Sequence, residues 1–552
     1  MTTLITVRDL SVAFDGKQVV RDVSFSLRAG ECLGIVGESG SGKSVTARSL
    51  LGLNGHGAQV TATTLDVGVD VLEATLEQLR HLRGSRIGYV LQDALVSLDP
   101  LRTVGTEIAE PLRAHRVPAA QRPARVQELL TSVSVPEPEL RARQLPSELS
   151  GGLRQRALIA AGLALDPQVL IADEPTTALD VTVQAQVLEL LEQNLSAGRA
   201  IILISHDLSV VERLADHVLV MHRGRVVEEG PTAQVLTSPQ DPYTRRLLAA
   251  IPSASSRGDR LSDLPPATIT AVPRERAPEA GPVLEAIGLG KSYRGPDGRT
   301  RPVVQDVSFT LDAGETLGIV GESGSGKSTT AWMALGLTPP STGQVLLDGE
   351  TWTGIPERKR RSRRHRIAVV QQDPLSSFDP RWTVGRTIAD ALSVGQGRRG
   401  GARGSAGSSG RERDRSARVA ELLEAVGLDP AFAARHPLTM SGGQRQRAAI
   451  ARAIATDPEV LVLDEPVSAL DVSVQAQVLD LLGDLQAALG TAYLFISHDL
   501  GVIHHVSDRV LVMQGGRVVE HGTADQVLHA PQHPYTRQLV SALPRRDLQE
   551  AS

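Results

Sequence analysis

The chain has 552 residues, too many for one hydrophobic core, and its 41% hydrophobic and 22% charged content is that of a folded, water-facing protein. Its 58 basic against 63 acidic residues leave a formal charge of −5, which argues against a general nucleic-acid binder. The single cysteine, Cys32, excludes an internal disulfide and a cysteine-ligated cluster.

The opening MTTLITVRDL lacks the basic-then-apolar pattern of a secretion signal, and no apolar run reaches the roughly 18 residues that span a bilayer. The expectation is a chain that neither crosses a membrane nor is exported. ITVRDLSVAF, a turn at Asp15-Gly16 and VVRDVSFSL alternate in the manner of antiparallel strands. Phe14 closes the first of them, and its ring could stack on an adenine or serve as a core aromatic.

Leu33-Gly34-Ile35-Val36 then leads into GESGSGKS, residues Gly37 to Ser44. This spacing, G-x-x-x-x-G-K-[ST], wraps nucleotide phosphates: Gly37, Ser39, Gly40 and Gly42 bring backbone amides together, and Lys43 and Ser44 complete the loop. Strand, loop and a following helical run supply the context the mechanism needs, with the helix N-terminus facing the phosphates. IGYVLQDALVSLDP carries Gln92, placed at a strand end where it could reach a metal ion and an attacking water.

Further along, Ser150-Gly151-Gly152 precedes a long helical run, a serine-capped N-terminus that suits either plain capping or anion binding. VLIADEP ends a buried strand in Asp173 and Glu174; the first suits a magnesium shell and the second is placed to orient or deprotonate water. Ala178-Leu179-Asp180 follows, and the next strand ends in Ser205-His206-Asp207, with His206 a candidate partner for a γ-phosphate. QDPYTRRLLAAIP (Gln240 to Pro252) reads as a capped helix closing the unit.

The same series then repeats. GESGSGKS recurs as Gly321 to Ser328, with Ser323, Gly324, Gly326, Lys327 and Ser328 in the corresponding places, and Tyr293 stands opposite Phe14. Gln372, the trio Ser441, Gly442 and Gly443, the pair Asp464 and Glu465, and His498 follow in order. Lys43 to Lys327 is an offset of 284, Gln92 to Gln372 of 280 and Ser150 to Ser441 of 291, so the second copy gains 11 residues (291 − 280) before its Ser-Gly-Gly. They fall in a Gly/Ser/Arg tract, and 391–418 is expected to be a disordered surface loop. The Pro/Ala/Ser-rich stretch 252–282 is expected to be a linker between domains 1–251 and 283–552. ERKRRSRRHR, Glu357 to Arg366, reads as a solvated basic face or a contact for anionic lipid.

Taken together, these motifs resemble the ATP-binding subunits of ABC transporters, in both halves and over nearly the full length. The resemblance implies an α/β fold of two P-loop domains, each with a RecA-like core, an antiparallel β subdomain and a helical signature subdomain. It implies ATP and Mg2+ as ligands, with Ser44, Gln92 and Asp173, or Ser328, Gln372 and Asp464, around the metal. Glu174, Glu465, His206 and His498 would be catalytic. Two such domains would close head to tail, so that Lys43 is completed by Ser441, Gly442 and Gly443, and Lys327 by Ser150, Gly151 and Gly152.

The segments QDALVSLDP and QDPLSSFDP and the tails QDPYTRRLLAAIP and QHPYTRQLVSALP further resemble the dipeptide, oligopeptide and nickel importers. That resemblance implies two transmembrane permease subunits, an extracytoplasmic solute-binding protein, and peripheral attachment to the cytoplasmic face of the inner membrane. The cargo would be a peptide, glutathione or a nickel chelate; the alternative is a soluble twin-ATPase acting on ribosomes. No iron–sulfur cluster and no nucleic-acid partner are expected. Leu153 stands where the second half has Gln444, and slower hydrolysis at the site using that signature is the most this departure predicts.

Overall fold

A computed structural model describes residues 2–91, 97–176, 179–253, 256–267, 281–294, 298–396 and 408–541. The chain divides into two units, Met1–Ala249 and Ala250–Ser552, each described by itself below.

In the first unit Thr3–Phe14 and Lys17–Arg28 pair antiparallel, with Phe14 opposite Lys17 and Val7 opposite Phe25. Asp15 (φ 48°) and Gly16 (φ 78°) make the turn, two left-handed residues whose twist suits a tight hairpin. The short strands Ala58–Thr61 and Thr64–Asp66 extend this sheet. A second sheet has six strands in the order 225–231, 217–222, 32–36, 200–204, 169–173, 87–90. Every residue of Cys32–Val36, Val169–Asp173 and Ala200–Ile204 is buried, as parallel strands covered on both faces must be. Only the outermost hairpin is antiparallel. Helices Val104–Ala114, Arg122–Ser132 and Gly151–Gly162 pack on one another as a helical cluster within the unit.

The second unit repeats the plan. Leu284–Arg294 and Thr300–Leu311 form its hairpin, and its six-stranded sheet runs 367–370, 460–464, 492–496, 316–320, 509–514, 517–523. In both sheets the strand that feeds the phosphate loop is internal, flanked by the strand before the histidine and by the outer hairpin. Among the described residues no helix is long and apolar enough to cross a membrane.

Three expectations need correction. Of the tract 391–418, residues up to Gln396 continue the helix Val384–Gln396, and Ser408–Ala425 is helical throughout. The Gly/Ser composition of its start hides a segment rich in Arg, Glu, Ala and Leu, all good helix formers, which buries Val419, Leu422, Leu423 and Val426 at helical spacing. Residues 397–407 lie outside the described set.

The linker is also not free along its length, for 256–267 is docked on the second unit. Leu261 is buried, and the Asp480 carboxylate accepts from the amides of Leu261 and Ser262 at 2.9 Å and from Ser262 Oγ at 2.6 Å. Asp484 accepts from Ala267 N and from Arg260 Nη1, both at 2.8 Å. One leucine and two satisfying carboxylates hold a strap whose sequence carries no periodic signal.

The basic run, finally, is divided: Arg358, Lys359 and Arg361 are exposed, while Arg360, Arg363, Arg364 and Arg366 are partly buried. Arg360, Arg363 and Arg364 lie 5.7–5.9 Å from the ring of the fully buried Trp352. Arg360 and Arg364 donate to the carbonyls of Gly336 and Leu335 at 2.7 and 2.6 Å, and Arg366 pairs with Glu459 and Asp348. These arginines close the end of the helix Lys327–Ala334 rather than forming a lipid-facing patch.

Candidate nucleotide sites

Each GESGSGKS loop leaves the carboxyl end of an internal strand and enters a helix, Lys43–Ser49 or Lys327–Ala334. The loop demands glycine. A Cβ on Gly37 would stand 2.1 Å from the Met221 carbonyl, and one on Gly321 2.1 Å from that of Met513, both at positive φ. Gly42 and Gly326 cap the two helices in the left-handed region. Ser39, Gly40, Ser323 and Gly324 are exposed at the crown of the loops.

Lys43 and Lys327 are buried in these loops. Lys43 Nζ donates to the carbonyls of Gly37 and Glu38 at 2.6 and 2.9 Å, and Lys327 Nζ to those of Gly321 and Glu322 at 2.6 and 2.8 Å. The buried hydroxyls of Ser41 and Ser325 have no hydrogen-bond partner among the described residues. A cationic amine curled inside a ring of amides beside an unsatisfied hydroxyl is a fit for a polyphosphate.

Across from each loop stands a carboxylate pair. Ser44 Oγ donates to Asp173 Oδ1 at 3.0 Å and Ser328 Oγ to Asp464 Oδ1 at 3.2 Å, so hydroxyl and carboxylate oxygens already share one point. These are the hard oxygen donors that Mg2+ takes. Burial raises the pKa of both aspartates, and the adjacent Glu174 or Glu465 charge adds to it. A cation at this point would relieve that penalty.

Glu174 and Glu465 have φ of 51° and 48°, a left-handed backbone uncommon in a residue other than glycine. His206 Nδ1 lies 3.4 Å from Glu174 Oε2, and His498 Nδ1 3.3 Å from Glu465 Oε1. Burial opposes the charged ring, but the hydrogen bond and charge of the glutamate outweigh it and raise both histidine pKa values. Burial likewise opposes the Glu465 carboxylate, and His498 overcomes it and lowers its pKa. Gln372 Nε2 donates to Glu465 Oε2 at 2.7 Å, which joins glutamine, glutamate and histidine in one chain of contacts. Gln92 lies outside the described residues.

The signature residues cap helices. Ser150 Oγ accepts from Leu153 N at 3.4 Å, and Ser441 Oγ from Gln444 N at 3.3 Å. Only the second half completes the reciprocal bond, from Ser441 N to Gln444 Oε1 at 3.0 Å; Leu153 has no oxygen to offer. Ser150, Gly151, Ser441 and Gly442 are exposed. Gly152 and Gly443 instead meet the next helix, where an added Cβ would stand 2.3 Å from Val183 Cγ1 or 2.4 Å from Val474 Cγ1. Those helices, Val181–Ser196 and Val472–Leu489, are capped by Asp180 and Asp471. Phe14 is partly buried against the core of its unit, whereas Tyr293 is 42% exposed with Lys291 Nζ 5.3 Å from its ring centre.

Two features escaped the sequence. Tyr243 OH accepts from Glu38 N at 3.1 Å, and Tyr535 OH from Glu322 N at 2.9 Å, so the tyrosine of each Pro-Tyr-Thr tail holds the amide of the second loop residue. Their pairing at equivalent places in the two copies was the available signal. Tyr89 OH donates to the free oxygen of Asp173 at 2.9 Å, and the second half has Val369 at the matching strand position.

Two P-loop cores, each with a serine and aspartate at one point and a glutamate–histidine pair beside them, define a tandem nucleoside triphosphatase. Residues 20–177 and 304–468 match the ABC transporter family, and 227–279 and 519–551 match the oligopeptide/dipeptide transporter C-terminal region. The chain is 43% identical over 574 residues to the glutathione import ATP-binding protein GsiA of Salmonella choleraesuis (strain SC-B67), covering 99% of this chain and 90% of that protein. Against the protein of the same name from Escherichia coli (strain K12) it is 43% identical over 574 residues, covering 98% and 89%. The chain therefore belongs to the ABC transporter family, as an ATP-binding and ATP-hydrolysing subunit with two nucleotide-binding domains. A structure described as ribosome-bound archaeal Pelota and ABCE1 is similar over 96% of this chain and 80% of that one, with a TM-score of 0.61 at 20% identity, a likeness of fold alone.

Proposed function

We propose that the chain powers import of a small peptide-like solute, with glutathione as the first candidate cargo, and that residues 1–251 and 283–552 are its two ATP-driven cassettes joined by 252–282. The observation that carries this reading is the match to the oligopeptide/dipeptide C-terminal region in both halves, where each tail tyrosine touches a phosphate loop. Two relatives that match nearly the whole chain are named for glutathione import, while the ribosome-associated likeness is one of fold. That weighs against the translation-factor alternative.

In this reading Lys43 and Lys327 exchange loop carbonyls for β- and γ-phosphate oxygens, and the loop amides hold the remaining charge. Ser44 with Asp173, and Ser328 with Asp464 and Gln372, would hold Mg2+, which neutralises phosphate charge when bound. Gln92 takes the place of Gln372 in the first half. Glu174 and Glu465 orient the attacking water and draw its proton, and His206 and His498 fix those carboxylates and face the γ-phosphate. Phe14 and Tyr293 stack on adenine. The exposed amides of Ser150 and Gly151 serve the ATP held by Lys327, and those of Ser441 and Gly442 the ATP held by Lys43, so ATP favours a closed pair and hydrolysis releases it. Two permease subunits and an extracytoplasmic solute-binding protein complete the machine, with this chain peripheral on the cytoplasmic face of the membrane.

Proteoliposomes that reconstitute this chain with candidate permease subunits, with a candidate solute-binding protein supplied, test the cargo. ATP-dependent uptake of labelled glutathione, competed by excess unlabelled glutathione more than by a dipeptide or a nickel chelate, is the expected result. Strong competition by dipeptide alone would reassign the cargo. ATP-dependent co-sedimentation of the chain with ribosomes, without uptake, would favour the translation-factor alternative.

A further inference from the structure

Outside the residues of its own nucleotide site, the second unit brings together His504, Asp525 and His529. His504 lies on the helix Leu500–Val506, and Asp525 and His529 are one turn apart on Ala524–His529. One ligand atom of each residue lies within 4.8 Å of those of the other two. His504 Nε2 is 3.1 Å from Asp525 Oδ1, and the two imidazole rings meet edge to face with centres 4.9 Å apart.

We propose that His504, Asp525 and His529 form a binding site for one divalent transition-metal ion of the zinc class. Two imidazole nitrogens and one carboxylate oxygen are the donors such ions prefer, and the nitrogens disfavour Mg2+ and Ca2+. Tetrahedral bonds of about 2.0–2.2 Å place ligand atoms roughly 3.5 Å apart. The buried His504 and its Asp525 contact already meet that spacing, and the exposed His529 and Asp525 side chains can rotate to close the rest.

The local charge points the same way. Arg257 of the docked strap lies 3.8 Å from Asp525 and 3.2 Å from Asp508, one guanidinium facing two carboxylates. It competes with a cation for Asp525 without cancelling the local negative charge. The first unit supplies an internal control: at the matching helix positions it has Glu212, Ala233 and Thr237, which cannot make this set. A bound ion would fasten the helix that begins beside His498 to the one that leads toward Tyr535.

The untagged full chain, stripped with EDTA and dialysed, is titrated with Zn2+ by calorimetry and with Co2+ by visible absorption. Wild type should bind one equivalent with a tetrahedral Co2+ spectrum. Asp525→Ala and His529→Ala, both exposed positions, should lose that equivalent or weaken it at least about tenfold while retaining the wild-type circular dichroism. Arg257→Ala should bind more tightly. Equal Zn2+ stoichiometry and affinity in wild type and both ligand variants, or no binding by wild type, would overturn the proposal.

Discussion

Glu174 and Glu465 sit in left-handed backbone immediately after a buried aspartate, a conformation that costs on the order of 1–3 kcal/mol in a non-glycine residue. The cost is met by what it places: a carboxylate within reach of a histidine from the next strand. Because both histidine pKa values are raised in the folded chain, the pair stabilises the fold fully below the ordinary histidine value, and the contribution fades as pH rises through the raised value. The melting temperature of wild type minus that of His206→Ala/His498→Ala, measured without nucleotide from about pH 6 to about pH 9, should therefore shrink with rising pH. A difference that grows over this interval contradicts the pairing.

Gly152 and Gly443 illustrate how one residue type can hold two meanings. Their place in Ser-Gly-Gly reads as phosphate contact, yet each lies against a valine of the following helix. Gly152→Ala should destabilise the chain by about 1–3 kcal/mol, because a β-branched side chain on a helix has little room to yield. Gly152→Ala/Val183→Ala should recover most of the loss in a denaturation experiment. A Gly152→Ala variant with wild-type stability but impaired hydrolysis would restore the phosphate-contact meaning.

At the scale of elements, the tail helices Pro242–Ala249 and Pro534–Ser541 each send a tyrosine hydroxyl to the phosphate loop. Each tail is itself pinned upstream: Glu228 accepts from the amides of Gln240 and Asp241, and Glu520 from those of Gln532 and His533. The loop is thus braced from the far end of its own unit. Tyr243→Phe/Tyr535→Phe removes one neutral hydrogen bond per site, about 0.5–1.5 kcal/mol, and should raise the KM for ATP several-fold with a smaller change in kcat. An unchanged KM would mean the brace serves folding alone.

The phosphate loops, the Asp-Glu strands and the Asp15-Gly16 hairpin were legible in the sequence because in each the spacing is itself the chemistry. The tyrosine brace was not, since 205 residues separate Tyr243 from Glu38 and only the fold brings them together. The strap at 256–267 escaped for a related reason: its anchors, Asp480 and Asp484, are polar groups on a helix whose pattern predicts burial of apolar ones. In 391–418 the glycines and serines at the start obscured a helix whose core-facing residues lie in its second half.

Across the whole molecule the two copies share a plan and differ in detail. The first has Tyr89 on its metal-type aspartate and a signature without a reciprocal cap; the second has Val369, a complete capping box and the histidine cluster. Both nonetheless retain lysine, serine, aspartate, glutamate and histidine in matching geometry. The central claim is that this chain hydrolyses ATP with Glu174 and Glu465 activating the water in two competent sites. It is tested most directly by ATP hydrolysis in the purified wild type, in Glu174→Gln, in Glu465→Gln and in the double variant, with ATP binding measured in parallel. The account predicts retained binding throughout, a lower rate in each single variant, and a double variant slowed by about 10²–10⁴. A double variant hydrolysing ATP at the wild-type rate would contradict it.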